Sequence, residues 1–214
     1  MTLMFTGIVE SCGEVVSIRE LPGSWRLGVR APEITDGVGM GDSVAVNGCC
    51  LTVVGCGGGL LEFDLLAETR RVTNLGDIEV GSGVNLERSL KWDGRIGGHF
   101  VSGHIDSTGR ILAIEPRGKD VYLRVVPDGD HRQLLVGKGC IAVDGISLTL
   151  AEVDDVGFAI WLIPHTLEVT NLGRRKSGEA VNLEFDLLGK YVQRFLTLKQ
   201  SESPYNSPKA EATD

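Results

Sequence analysis

The chain has 214 residues, enough for one large domain or for two of about 100 residues each. Hydrophobic residues make up 42% and charged residues 23%, as in an ordinary globular protein; the net charge of −8, with no Lys/Arg stripe, argues against a nucleic-acid or anionic-membrane partner. No apolar run approaches the roughly 18 residues of a membrane span. The opening "MTLMFTGIVES" lacks the regions of a secretory signal, so a cytoplasmic location is expected.

In chain order, the first half predicts strands at 5–18, 25–30, 43–47, 50–55, 60–66 and 83–88, rich in Val, Leu, Ile and Thr and punctuated by Gly or Pro. "GVGMGD" (37–42) resembles a dinucleotide loop, but it leads into the strand-like "SVAVN". A pyrophosphate would need a helix N-terminus there. "VVGCGGGLLEF" (53–63) has the chemistry of a hairpin around a glycine turn. At 91–98, "KWDGRIGG" interrupts the apolar pattern, and the plan then restarts with "VYLRVV" (121–126), "IAVDGISLTLAEV" (141–153) and "FAIWLI" (158–163). Residues 187–200 predict a helix with Leu188, Val192, Phe195 and, less neatly, Leu198 on one stripe, suited either to capping its own barrel or, the favoured reading, to meeting its copies in neighbouring chains. The polar segment 201–214 is expected to be disordered.

The restart is a duplication. "NGCCLTV" (47–53) returns as "DGISLTL" (144–150), "LLAETRRVTNLG" (65–76) as "LIPHTLEVTNLG" (162–173), and "GSGVNLE" (81–87) as "GEAVNLE" (178–184), all with an offset of 97. With one residue of adjustment, "GIVESCGEVVSI" (7–18) falls on "GHIDSTGRILAI" (103–114). The chain is therefore expected to hold two units, 1–97 and 98–186, each a small closed barrel, since closure hides the edges of so short a sheet. Cys12, Cys49, Cys50, Cys56 and Cys140 form an odd set without CxxC spacing, which reads as reduced thiols and not as a disulfide frame or a zinc site. His99 and His104, five apart, fall on different faces of a strand or a helix and should not share a metal; His99 and His131 read as surface or linker residues.

"MFTGIVE", "NGCCLTV", "GGHFVSGH", "DGISLTL" and the two "TNLG" segments, in this order over roughly residues 4–195, resemble the riboflavin synthase family of the homotrimeric α-chain type. The resemblance implies an all-β fold of two tandem six-stranded Greek-key barrels with a C-terminal α-helix that joins three chains. It implies dismutation of two molecules of 6,7-dimethyl-8-ribityllumazine by four-carbon transfer, yielding riboflavin and 5-amino-6-(D-ribitylamino)uracil. It implies no metal or organic cofactor, active sites between subunits, and the option of association with lumazine synthase. The alternative is a non-catalytic lumazine- or flavin-binding protein built on the same duplicated barrel.

Two identical substrates in unequal roles call for similar pockets that differ where the chemistry happens, as Cys49-Cys50 differs from Ile146-Ser147. By motif match to the family, the first pocket takes Gly7, Ile8 and Val9, then Cys50, Leu51 and Thr52, then Asp64, Leu65, Leu66, Ala67, Glu68 and Thr69. The second takes His104, Lys138, Ser147, Leu148 and Thr149, with Leu162, Ile163, Pro164, His165, Thr166 and Leu167. Barrel packing is the plainer reading of most of these. Cys50 is the strongest candidate for a direct role, although nucleophilic attack would need a depressed pKa; Cys49 should point the other way, into packing. His104 stands where the first repeat has Ile8, and an imidazole suits removal of a methyl proton from the lumazine. Ser43 and Asp186 match positions near the family's chemistry, against plain roles as a strand-entry residue and a helix N-cap.

Overall fold

The structure, a computed structural model, describes residues 4–201; the remainder of the expected polar tail lies outside the described residues. Strands β1 (Ser11–Leu21), β2 (Ser24–Arg30), β3 (Ser43–Val46), β4 (Cys49–Gly57), β5 (Leu60–Leu66) and β6 (Gly83–Arg88) close a barrel in the order β1-β2-β5-β4-β3-β6. Short helices α1 (Pro32–Thr35) and α2 (Ala67–Val72) follow β2 and β5. Alternation along each strand decides what goes inside. On β5, Leu61, Phe63 and Leu65 enter the core while Glu62 and Asp64 face out; on β4, Cys49, Leu51 and Val53 enter while Cys50 and Thr52 do not.

The second unit repeats the circuit. It comprises β7 (Ser107–Arg117), β8 (Asp120–Pro127), β9 (Cys140–Val143), β10 (Ile146–Thr149), β11 (Glu152–Val153), β12 (Phe158–Leu162), α3 (Pro164–Val169) and β13 (Ala180–Phe185). Its sheet order is β10-β9-β13-β7-β8-β12-β11, a seven-stranded sheet where a closed six-stranded barrel was expected; its two end strands, β10 and β11, are joined by the chain and not by a hydrogen-bonded ladder, and it is called the second barrel in that sense. Because β10 runs into β11 through Leu150 and Ala151, whose amides donate to Gly139 O and Ala159 O, β10 and β11 together stand for β4. Even the irregularity is duplicated: β1 slips register between Val15 and Ser17, and β7 between Ile111 and Ala113. The run 141–153 is thus two hairpin arms and a short strand. Helix α4 (Leu187–Ser201) ends the described chain.

The turn that heads each echoed motif explains its sequence. Asn47-Gly48 joins β3 to β4 and Asp144-Gly145 joins β9 to β10, with φ of 46° and 77°, and of 46° and 79°. Two consecutive positive φ angles define the hairpin turn that favours Asn-Gly and Asp-Gly. The two turns pack back to back: a Cβ on Gly48 would meet Gly145 N at 2.7 Å, and one on Gly145 would meet Gly48 N at 2.7 Å.

Around these turns the remaining echoes form a buried polar joint between the barrels. Asn74 Nδ2 donates to Asp144 Oδ1 and Asn171 Nδ2 to Asp144 Oδ2, at 2.7 and 2.8 Å. Asn85 Nδ2 donates to Asp144 O, and Asn182 Nδ2 to Asn47 O, both at 2.9 Å. The Arg175 guanidinium pairs with the fully buried Asp144 at 2.7 Å. The asparagines of "VNLE" therefore satisfy turn carbonyls at the joint, and those of "TNLG" satisfy the turn side chains, above all the buried Asp144 carboxylate.

One expectation fails instructively. Residues 5–10 are not part of β1, which begins at Ser11. Phe5 instead pairs with Val101 across the pseudo-two-fold, Phe5 N donating to Val101 O at 2.8 Å and Val101 N to Phe5 O at 3.1 Å. Phe5, Val101, Ala45 and Ala142 make a small apolar cluster at this seam, with Cys50 packed against it.

Candidate active site

Each repeat sends its opening segment across the seam. Cys50 N donates to Gly103 O at 2.8 Å, and Ser147 N donates to Gly7 O at 2.8 Å. Side chains follow: Ile105 packs against the core of the first barrel and Val9 against that of the second. Each segment thus packs on the barrel that its own repeat does not form: Gly7 lies beside Ser147, and Gly103, the residue before His104, lies beside Cys50, while Ile8 also borders a cavity with Ser43. Sequence overlay could not show this, because it aligns a segment with its own repeat and the segment's partners lie in the other.

In the first barrel, β3 and β4 place Ser43 opposite Thr52 and Ala45 opposite Cys50. Since Val44, Val46, Cys49 and Leu51 fill the interior, Ser43, Cys50 and Thr52 share the outer wall, away from a barrel mouth. Burial pushes the Cys50 thiol up; a hydrogen bond from Ser43 opposes this, and the nearby Glu184 carboxylate adds to it. The net effect disfavours the Cys50 thiolate. Cys49 lies inside the barrel, its thiol pushed up to about 12 by burial, in keeping with a packing role. The exposed His104 follows Gly103 directly, one residue past the backbone bond to Cys50.

The later residues of this wall are engaged with arginines. Arg26 donates to both oxygens of Asp64 at 2.8 and 3.0 Å, which holds the Asp64 carboxyl below its ordinary range. Glu68 on α2 pairs with Arg71 one helical turn on. Leu65 points into the core, whereas Leu66 is exposed, as is Ala67; Thr69 O accepts from Thr73 Oγ1. Leu51 and Leu65 can reach a ligand only through their backbones.

The second wall has the same frame with different chemistry. Cys140 stands opposite Thr149, and Ala142 opposite Ser147, so hydroxyl and thiol have exchanged strands relative to Ser43 and Cys50. His99, expected at the surface, is only 9% exposed, and its Nδ1 shares a hydrogen bond of 2.7 Å with Ser147 Oγ. Burial lowers its pKa while Asp186 raises it, and Nε2 is buried without a partner among the described residues. Asp186 also accepts from Leu188 N at 3.0 Å, as an N-cap of α4 does. Lys138 and Thr149 are exposed on this barrel, and Lys138 N donates to Leu150 O with Lys138 at φ 66°. Leu148 packs onto the core, Leu162 is fully buried, and Ile163, Pro164 and His165 are exposed at the start of α3, with Thr166 and Leu167 half-buried on it. His131 is half-buried, with its ring 4.8 Å from that of Phe185.

His99, Cys140, Glu87 and Glu184 were missed by sequence reasoning. The glutamates carried a usable signal: a charged residue repeated at the end of two apolar "VNLE" strands has a buried partner or an edge to satisfy. A cavity of about 640 Å³ beside Ile8, Ser43, Glu87 and Arg88 reaches the join at Lys91 and Arg95. Another, of about 520 Å³, lies at the polar joint between Asn74, Asn171 and Arg175, with no wall residue in its lining.

The lumazine binding domain model matches this chain twice, over residues 6–89 and 102–186. Riboflavin synthase of Escherichia coli (strain K12) is 43% identical over 98% of this chain and 100% of its own. The corresponding figures for riboflavin synthase of Actinobacillus pleuropneumoniae are 41% over 94% of each chain. The chain belongs to the riboflavin synthase family of tandem lumazine-binding domains. Another relative, the riboflavin synthase of Mycobacterium tuberculosis (strain ATCC 25618 / H37Rv), is 46% identical over 90% of this chain and 98% of its own. Among solved structures, LumP complexed with 6,7-dimethyl-8-(1'-D-ribityl) lumazine matches with a TM-score of 0.76 and 28% identity, covering 84% of this chain and 98% of that one. LumP complexed with riboflavin matches at 0.79 and 27%, covering 85% and 98%. The two matched ranges begin at residues 6 and 102, so each includes a crossing segment.

Proposed function

We propose that this chain is a riboflavin synthase, a transferase that moves four carbons between two molecules of 6,7-dimethyl-8-ribityllumazine and releases riboflavin and 5-amino-6-(D-ribitylamino)uracil. The observation that carries the reading is the pair of matched outer walls: one presents Ser43, Cys50 and the His104 segment, the other Ser147 and His99. Two like sites with unlike chemistry are what donor and acceptor copies of one substrate require. His104, exposed beside Cys50, serves as the base that removes the methyl proton. Because burial disfavours the Cys50 thiolate, its S–H acts as a hydrogen donor to substrate and not as a standing thiolate. Asp64 through Thr69 and Leu162 through Leu167 bind the ribityl chain and ring edge, largely through backbone groups. Holding two flat substrates in register supplies much of the remaining acceleration.

The ligand-binding units are residues 1–97 and 98–186, and 187–200 form the assembly helix. Leu188, Tyr191, Val192, Phe195 and Leu196 of α4 are all exposed on the single chain, an apolar face that three copies would bury as a homotrimer. The first barrel of one subunit then faces the second barrel of a neighbour, and the two outer walls, only partly covered at Cys50 and Ser147 on one chain, meet between them. Phe195→Glu is expected to give monomers by sedimentation, with loss of activity. The enzyme works in the cytoplasm, where its unpaired cysteines stay reduced, and lumazine synthase is its supplier and candidate partner.

Incubation with 6,7-dimethyl-8-ribityllumazine alone tests the function: one riboflavin is expected for two lumazines consumed. Tight binding without conversion would support the second reading, a lumazine carrier, which the likeness to LumP favours.

A further inference from the structure

Two buried glutamates at matched positions hold the crossing segments in place. Glu184, at the end of β13, is 1% exposed and accepts three hydrogen bonds: Ser102 N at 2.6 Å and Ser102 Oγ at 2.7 Å on Oε1, and Gly103 N at 2.9 Å on Oε2. Glu87, on β6, is 6% exposed and takes Thr6 N and Thr6 Oγ1, both at 2.7 Å, on Oε1, and Gly7 N at 3.0 Å on Oε2. A carboxylate buried this deeply is costly unless its lone pairs are filled, so each clamp fixes its segment in one geometry.

Each clamp belongs to one barrel and serves the wall of the other. Glu184 is rooted in the second barrel, yet the peptide it grips offers Gly103 O to Cys50 N in the first. Contact there is tight: a Cβ at Gly103 would lie 2.5 Å from Cys50 Cβ, and Gly103 has φ 79°. His104 is the next residue. Glu87 does the same in reverse, through Gly7 O to Ser147 N.

We propose that Glu184 is a positioning residue of the first-barrel site, setting His104 against Cys50 through the Ser102–Gly103 peptide. The proposal rests on the dismutase reading given above. Its consequence is that the second barrel contributes to the chemistry of the first within a single chain, before any neighbouring subunit is added. Misplacing a catalytic group by about 1 Å costs on the order of 100-fold in rate.

The test combines a mutant cycle with a chemical probe of Cys50. Glu184→Gln is expected to lower kcat by roughly 10- to 100-fold with little change in KM. In a His104→Gln background it should add almost nothing, because the residue it positions is gone. Losses that multiply in the double variant would overturn the proposal. The second measurement is alkylation by iodoacetamide, read at each cysteine by mass spectrometry, and it does not depend on turnover. Cys50 should react several-fold faster in Glu184→Gln and should be unchanged in Glu87→Gln, with buried Cys49 slow throughout. Ser102→Ala keeps the carboxylate charge and loses a single anchor, so a smaller rise at Cys50 in that variant assigns the effect to geometry. A rise in Glu184→Gln without one in Ser102→Ala, or a rise at Cys49 and Cys50 together, would mean charge or general loosening and would sink the proposal. Should the wild-type chain make no riboflavin while Cys50 responds as expected, the dismutase reading falls and the clamp stands.

Discussion

The first barrel presents Ser43 on β3 and Cys50 on β4, whereas the second presents Cys140 on β9 and Ser147 on β10. At the joint, by contrast, asparagines occupy the same places in both repeats: Asn74 matches Asn171, and Asn85 matches Asn182. The joint repeats because back-to-back turns need the same backbone groups satisfied on both sides of a pseudo-two-fold. The walls, which the turns do not reach, carry no such shared requirement, and there the two repeats differ. Duplication supplied the frame, and the chemistry was written where the frame allows it.

The sharpest way to break this comparison is at the histidines, since each wall has one. His104→Gln should reduce kcat by about 10²- to 10⁴-fold, the range for a lost general base, while ribityllumazine binding measured by fluorescence is retained. An equal loss in binding and turnover would make His104 a contact residue only. At the joint, Asp144→Asn leaves the Arg175 guanidinium without its buried partner and should cost roughly 3–5 kcal/mol of stability; urea unfolding checks this. Its counterpart Asn47→Asp adds a buried charge with no cation opposite it, so destabilisation by both changes would show that the joint's asymmetry is fixed.

Thiol and hydroxyl come next. Cys50→Ser makes the two walls alike and should slow turnover by roughly 10-fold, with KM little changed, consistent with loss of an interaction made in the transition state. Ser147→Cys should affect binding at the second wall more than the rate. If the two substitutions behave identically, the walls are not donor and acceptor sites with separate roles.

The smallest effect concerns pH. Burial depresses the His99 pKa from 6.5, so the unfolded chain takes up the proton first as the solution is acidified. His99 therefore contributes stability above about pH 6.5 that is lost as pH falls. Glu87 and Glu184, raised by burial, act with the opposite sign, favouring the folded state on acidification. The clean measurement is the difference in Tm between wild type and His99→Gln from pH 7 to 5.5. That difference should shrink as pH falls, and a constant offset would mean that His99 is not titrating in the fold.

Much of this was legible in the residues. The 97-residue echo, the short Val/Leu/Ile strands and the terminal stripe at Leu188, Val192 and Phe195 specify two barrels and a helix, because strand and helix periodicities are local properties of the chain. The pairing of Cys50 with Ser147 followed from the same overlay. What the chain alone could not reveal is which wall each opening segment serves. "GIVE" and "GHID" have the same strand-like pattern wherever they pair, and Gly7 reaches Ser147 only after two complete barrels have docked. His99 was misread for the same reason: nothing in "GGHF" foretells that Thr6 O will accept from its amide and Ser147 will meet its ring. Local hydrophobic pattern determined the barrels; the two-fold packing of their turns, a contact between distant parts of the chain, decided the composition of each site.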